Sequence, residues 1–221
     1  IWAVRGITRV YFGTLGDLPV PGDYLGSDTA DISVYRGSSG LWAVRGLTRL
    51  FLGTGGFPVP GDYNGDGSCD AGIFIESSGK WNIKNVTRVY FGRSLDRPTA
   101  GDFTGDGTTD IGIFREERGL WAVRGYTRSY YGRSEDWPVP ADYDGDGFEE
   151  IAIWRPCCGL WACRDLTRIY YGNCLDWPRP ADYAGNGTDT PGIFRETTGL
   201  WAIREGSRIY FGGMGDTPVT R

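Results

Sequence analysis

Apolar residues come in short bursts along this chain, and each burst is closed by a stretch dense in Gly, Asp, Pro or Asn. No ten-residue window carries the 3.6-residue apolar period of a helix, and Ile, Val, Tyr, Phe and Trp dominate the bursts. The pattern therefore predicts short strands throughout. Within residues 138–172, "PVPADY", "EIAIWR", "LWACR" and "TRIYYG" are the expected strands. These bursts are apolar on both faces. Ile111 and Ile113 alternate with Gly112 and Phe114, and a small residue opposite a large one suits sheets stacked face to face.

The bursts repeat. "WAVRGITRVYFG" at residue 2 returns as "WAVRGLTRLFLG" at 42, "WNIKNVTRVYFG" at 81, "WAVRGYTRSYYG" at 121, "WACRDLTRIYYG" at 161 and "WAIREGSRIYFG" at 201. Trp2, Trp42, Trp81, Trp121, Trp161 and Trp201 are spaced 40, 39, 40, 40 and 40 residues apart. Four strands in a unit of about 40 residues, repeated, describe an all-β fold, a β-propeller of four-stranded blades. The expected divisions of this single repeat domain are a half-blade at 1–13, repeats at 14–53, 54–92, 93–132, 133–172 and 173–212, and a partial first strand at 213–221. Six tryptophan sectors favour six positions around the ring, the last built from both ends of the chain and lacking its second strand. Closure with five blades is the alternative.

Between the tryptophan segments lie five acidic loops, which begin at Asp23, Asp62, Asp102, Asp142 and Asp182. A hard cation such as calcium takes about six to eight oxygens from carboxylates, amides, carbonyls and water. Residues at loop positions 1, 3, 5 and 9 can converge on one ion if glycines at 4 and 6 allow a tight turn. Three loops match: Asp62, Asn64, Asp66 and Asp70 with the Ser68 carbonyl; Asp102, Thr104, Asp106 and Asp110 with that of Thr108; and Asp142, Asp144, Asp146 and Glu150 with that of Phe148. About three calcium ions are the expectation, as staples for short blades. The other two loops are degraded and expected empty or weak, since the first keeps only Asp23 and Asp31 in register and the last Asp182 and Asn186. A helix–loop–helix calcium site is excluded, because position 12 of the fourth loop is Ile153 and strands flank it. Ordinary Asp-Gly hairpin turns are the plainer explanation of any one loop taken alone.

"YFG", then "PVPGDY", then D-x-D/N-x-D-G-x-x-D followed by "IGIF" resembles the FG-GAP/VCBS repeat of integrin α-subunit propellers and many bacterial surface proteins. The resemblance covers essentially the whole chain. It implies a propeller with calcium between the first two strands of each blade, an extracellular or cell-surface location, and a role in adhesion, carbohydrate binding or assembly. The period is short for that family, two loops are degraded, and the repeat is offset by half a unit.

Composition narrows the function further. The net charge of -5 offers no basic face for nucleic acid. No apolar run approaches the roughly 18 residues of a membrane helix, so no membrane insertion is expected. Histidine is absent, which removes the commonest general base, and Glu116, Glu117 and Glu135 read as solvated, so the protein is not expected to be an enzyme. The chain begins at Ile1 without a charged-then-apolar leader, which reads as a processed protein or part of a longer one.

Cys157, Cys158, Cys163 and Cys174 cluster and are expected to form local disulfides, with free buried thiols as the alternative and Cys69 left over. Asn85 and Asn186 head glycosylation sequons. Trp137 and Trp177 break the repeat beside prolines, in what reads as a connecting loop, and are candidate contacts for a ligand, with space-filling between blades as the plainer role. Arg45, Arg49, Arg124, Arg128, Arg164 and Arg168 are expected to pair with the Asp of the "DxP" segments. The sequence thus reads as a non-catalytic extracellular calcium-binding propeller with a structural or adhesive role. Its partner would be itself, through unmatched blade edges that join head to tail into a filament. The alternative is a lectin-like module that recognises a surface glycan or protein.

Overall fold

The structure is a computed structural model and describes residues 1–220. It is an all-β β-propeller with five four-stranded blades. Blade 1 holds β3 (Leu18–Pro19), β4 (Ser33–Arg36), β5 (Leu41–Val44) and β6 (Thr48–Phe51). Blade 2 holds β7 (Phe57–Pro58), β8 (Gly72–Ile75), β9 (Lys80–Ile83) and β10 (Thr87–Tyr90). In blade 3 these are β11 (Asp96–Gly101), β12 (Asp110–Arg115), β13 (Leu120–Val123) and β14 (Thr127–Tyr130). Blade 4 has β15 (Trp137–Pro138), β16 (Ala152–Arg155), β17 (Leu160–Cys163) and β18 (Thr167–Tyr170). Blade 5 has β19 (Asp176–Pro178), β20 (Gly192–Arg195), β21 (Leu200–Ile203) and β22 (Arg208–Tyr210).

Each sheet is antiparallel in chain order, and each falls within the repeat bounds read from the sequence. A separate two-stranded sheet pairs β1 (Trp2–Val4) with β2 (Thr8–Val10). Residues 213–220 add no strand to it, so five blades are complete and the N-terminal hairpin stays a half-blade.

The first strands are shorter than the sequence suggests, for a backbone reason. Pro21, Pro60, Pro140 and Pro180 have no N–H to give to the second strand, so the ladder breaks and rejoins only at the bridges Gly22–Asp31, Gly61–Asp70, Ala141–Glu150 and Ala181–Thr190. Blade 3 carries Ala100 at that position, and its first strand runs unbroken through six residues.

The core lies between blades. Trp42, Trp81 and Trp121 are fully buried, as are the second-strand aromatics Tyr35, Phe74 and Phe114 that they meet, and Trp154, which packs on Trp161. Each cluster spans two neighbours: Trp121 and Val123 of blade 3, for example, pack with Ile151 and Ile153 of blade 4. Truncation of such an aromatic to Ala typically costs about 3–5 kcal/mol. The fourth strands are largely exposed and form the outer rim. Glycines set the tight spots. Gly79, at φ +66, lies so close to the Gly92 carbonyl that an added Cβ would sit 2.4 Å from its oxygen.

A charged fork recurs in four blades. Asp17, Asp96, Asp136 and Asp176 stand at the entry to the first strand and accept two hydrogen bonds each from Arg36, Arg115, Arg155 and Arg195, at 2.6–3.0 Å. Each carboxylate also accepts the N–H three residues before it, which folds the link from the preceding blade. The Asp side chains are 0–2% exposed.

These second-strand arginines replace the expected partners Arg45, Arg49, Arg124, Arg128, Arg164 and Arg168. Those six lie on or beside the outer two strands, across the sheet from the Asp, and Arg164 instead reaches Asp165 and Ser129. Blade 2 has Gly56 and Ile75 in place of the pair, and there the Tyr35 hydroxyl of blade 1 donates to the Gly53 carbonyl and accepts from the Gly56 N–H.

Removal of one partner strands a buried charge, whereas removal of both does not. Asp136→Ala is expected to lose about 3–5 kcal/mol in denaturant unfolding. Addition of Arg155→Ile, the residue blade 2 uses, should recover part of that loss. A double variant no more stable than the single one would show that the fork is not the source.

Candidate functional site

The acidic loops join the first two strands of each blade. In all five, the carboxylate at position 1 turns back and accepts backbone N–H groups from the residues that follow. Asp142 takes those of Gly145, Asp146 and Gly147, and Asp182 takes those of Ala184, Gly185, Asn186 and Gly187. Asp23 does the same with Leu25, Ser27 and Asp28. This role explains why position 1 stays Asp even in the two degraded loops. At position 9, Asp31, Asp70, Asp110 and Glu150 accept the N–H of position 2.

Neighbouring loops are bonded to one another. The N–H at position 8 donates to the position-1 carbonyl of the preceding blade: Cys69 to Asp23, Thr109 to Asp62, Glu149 to Asp102 and Asp189 to Asp142, at 2.6–2.9 Å. Phe148, expected as a carbonyl donor, lays its ring on Gly105 of the blade 3 loop, where a Cβ would overlap it.

The three well-matched loops differ in how their donors gather. Among the described residues, the fourth loop alone draws three or more carboxylates together. One oxygen each of Asp142, Asp144, Asp146 and Glu150 lies within 4.8 Å of the others. In the second loop, Asp66 accepts the Ser68 hydroxyl and N–H, and Asn64 lies 3.5 Å from Asp70. In the third, Asp106 is engaged by Thr108 in the same way. Thr104 Oγ1 is sealed from solvent there without a hydrogen bond of normal geometry, beside Asp106 and Asp110.

The electrostatics follow from burial and crowding. Hydrogen bonds from Ser68 and Thr108 hold Asp66 and Asp106 below the usual carboxylate range, while burial pushes Asp70 and Asp110 above it. Burial, then repulsion from Asp144, Asp146 and Asp142, raises Glu150 to about 7. Glu149 is raised to about 8 by burial, with Asp102 and Asp189 adding to it, and its Oε2 has no hydrogen-bond partner among the described residues.

A second feature sits immediately after the buried Asp of blades 1, 3, 4 and 5 and after Gly56 of blade 2. Leu18, Phe57, Arg97, Trp137 and Trp177 share one register on the first strands, opposite Tyr35, Phe74, Phe114, Trp154 and Phe194. Trp137 and Trp177 are thus strand residues, not loop residues, because the strand starts at or just after the Asp. Their rings meet edge to face at 5.6 Å, and the Arg97 guanidinium lies 5.9 Å from the Trp137 centroid. Trp137 also packs on Trp154 and is half-buried, whereas Trp177 is 41% exposed. Glu116 is not merely solvated, since it holds Arg97 at 2.7 Å and accepts the N–H of Glu135.

All five cysteines are free. Cys163 is buried between blades 4 and 5, and burial pushes its thiol up to about 12, while Cys157, Cys158 and Cys174 are exposed on turns. Cys69 is partly buried against Gly22 of blade 1. Asn85 lies exposed in the turn between β9 and β10, and Asn186 in the last acidic loop, where its Oδ1 accepts the Thr188 N–H. No helix is long and apolar enough to cross a membrane among the described residues.

The fold and these loops define the class, a β-propeller with a repeated acidic hairpin. No family model matches the chain, and no curated protein matches it. A solved structure that describes specific recognition of non-reducing terminal N-acetylglucosamine by an Agrocybe aegerita lectin does match, with a TM-score of 0.54 and 16% identity. The match covers 81% of this chain and 61% of that one. At this identity it supports the fold alone.

The raised glutamates fix a pH dependence. Glu149 and Glu150 bind protons in the folded chain at pH values where the unfolded chain, near 4.5, has already released them. Folded protein that holds more protons loses stability as pH rises. In chelator, the melting temperature should therefore fall between pH 5 and pH 8, through the folded values of about 7 and about 8. A flat or rising profile would contradict these assignments.

Proposed function

We propose that the protein is a non-catalytic recognition propeller that holds a saccharide against its exposed first-strand aromatics. The observation that carries this reading is the Arg97–Trp137–Trp177 array, in which an exposed indole stands beside a half-buried one on the first strands of neighbouring blades. Sugars present flat C–H faces that stack on such rings, and a cation on the flank supplies hydrogen bonds to hydroxyls. The lectin match is consistent with this reading, and so is the resemblance to FG-GAP/VCBS repeats, with the extracellular or cell-surface setting it implies.

Calcium is the proposed cofactor of the acidic loops. The fourth loop fits it best, with four carboxylates within reach of one centre, and the sealed Thr104 oxygen between two carboxylates suits a hard cation in the third. The ion would neutralise groups that otherwise repel, and so stabilise the folded state by mass action. Its contribution should be larger at pH 8 than at pH 5, because protons compete for Glu150.

A glycan array followed by NMR titration tests the reading. Trp177→Ala should weaken the retained glycans about three- to tenfold, the worth of one aromatic contact, and leave the melting temperature close to wild type. No glycan retained, or no loss in the variant, would overturn it. Calcium should raise the melting temperature, and Asp144→Asn with Asp146→Asn should abolish most of that rise.

One observation favours assembly as a second reading. Among the described residues no strand pairs with the inner edge of β1, and Trp2 is only half-buried where Trp42 is fully covered. Light scattering separates the two, since a monomer in calcium leaves no role for that edge in a filament.

A further inference from the structure

Arg179 breaks the repeat at a core position. Two residues beyond the aromatic row, on the same face of the first strand, blades 1 to 4 carry Val20, Val59, Thr99 and Val139, each no more than 6% exposed. The valines belong to the clusters between blades. Blade 5 has an arginine there, yet its backbone keeps the pattern. Arg179 N–H donates to the Gly192 carbonyl at 2.7 Å, as Val139 does to Ala152, and its carbonyl accepts the Tyr183 hydroxyl as that of Val139 accepts Tyr143. Only the side chain departs from the repeat.

That side chain is poorly compensated. Nε donates to the Pro218 carbonyl at 3.2 Å and Nη1 to the Pro178 carbonyl at 2.8 Å. Unlike Arg36, Arg115, Arg155 and Arg195, it has no carboxylate partner among the described residues. Nη2 makes no hydrogen bond among these residues, and it is not one of the polar atoms sealed from solvent without a partner. Burial pushes the guanidinium pKa down. A cation placed where the repeat uses valine, with two neutral carbonyls and an indole face for company, is costly unless an anion reaches it. Its guanidinium lies over the Trp177 ring, 5.9 Å from the centroid, so a charged fork and a partly exposed indole stand together.

We propose that Arg179 and Trp177 together select saccharides that carry a carboxylate, such as hexuronic acids, the sugar ring stacking on Trp177 and the carboxylate meeting Arg179. The planar fork of arginine matches a carboxylate, and the combination with an indole face suits an acidic pyranose. This assignment rests on the saccharide reading above and adds the class of sugar.

The test is an NMR titration of the full chain with methyl glucuronide and methyl glucoside at low salt. Wild type should prefer the glucuronide by about tenfold, the worth of a hydrogen bond to a charged group. Arg179→Val restores the residue of blades 1, 2 and 4, so it should fold with an unchanged or higher melting temperature and lose the preference. Arg179→Lys keeps the charge without the fork and should keep part of it. Equal affinity for both sugars, unchanged in Arg179→Val, would overturn the selection while leaving the aromatic platform intact. If neither sugar binds, both readings fail. An acidic peptide bound in place of the glucuronide, or a marked fall in melting temperature for Arg179→Val, would also overturn the inference, the first by changing the partner and the second by making Arg179 structural.

Discussion

The buried fork between an aspartate at the start of one strand and an arginine at the end of the next organises this propeller. It ties three segments at one carboxylate, namely the link from the preceding blade, the first strand and the second strand. Because the carboxylate is excluded from water, all of its bonds must be made inside the protein, which leaves each blade one entry geometry. The residue that follows the fork inherits that geometry. This is why Arg97, Trp137 and Trp177 fall into line from blade to blade and stand close enough to touch. Blade 2 shows what happens without the pair. The aspartate is Gly56, and a hydroxyl from the neighbouring blade, Tyr35, takes over part of its bonding.

The acidic loops divide their labour by position. Position 1 folds the loop with its own backbone, and the position-8 N–H links each loop to the carbonyl of the one before. Neither task needs an ion. Positions 3, 5 and 9 are then free to vary, and they do: blade 4 gathers four carboxylates, blade 5 has Ala184 and Thr190 in two of these places, and the turn survives in both. The carboxylate content of a loop and its shape are separable, so loss of a carboxylate need not cost the blade its fold.

Departures from the repeat are informative because the repeat supplies its own controls. Asn82 replaces the alanine of the other blades, and its amide takes the Leu52 carbonyl, leaving Trp42 Nε1 without the partner that Trp81, Trp121, Trp161 and Trp201 each find. Arg179 replaces valine at the boundary of blade 5. Both substitutions put polar groups where neighbouring blades are apolar or small. Arg179 alone adds a net charge with no counter-charge beside it among the described residues.

Much of this was legible in the residue order. Strand type, the period near 40 residues, the position of each acidic loop and the missing carboxylates of the first and last loops depend on local alternation, turn chemistry and the tryptophan register, all carried by neighbours in the chain. Arg179 was readable too, as the odd residue in the "PVP" segments, but only once the buried role of that position was known. Tertiary structure alone decided which charges meet. The fork joins residues 19 apart across two strands, so the outer-strand arginines, equally periodic in sequence, were indistinguishable from the true partners. It also decided that one acidic loop in three draws its carboxylates together, and that residues 2–10 remain a two-stranded hairpin. Periodicity specifies a backbone, because hydrogen bonding and burial act at every residue alike. The partner of a particular side chain depends on which atoms the folded blades place within about three ångströms of it, the reach of a hydrogen bond.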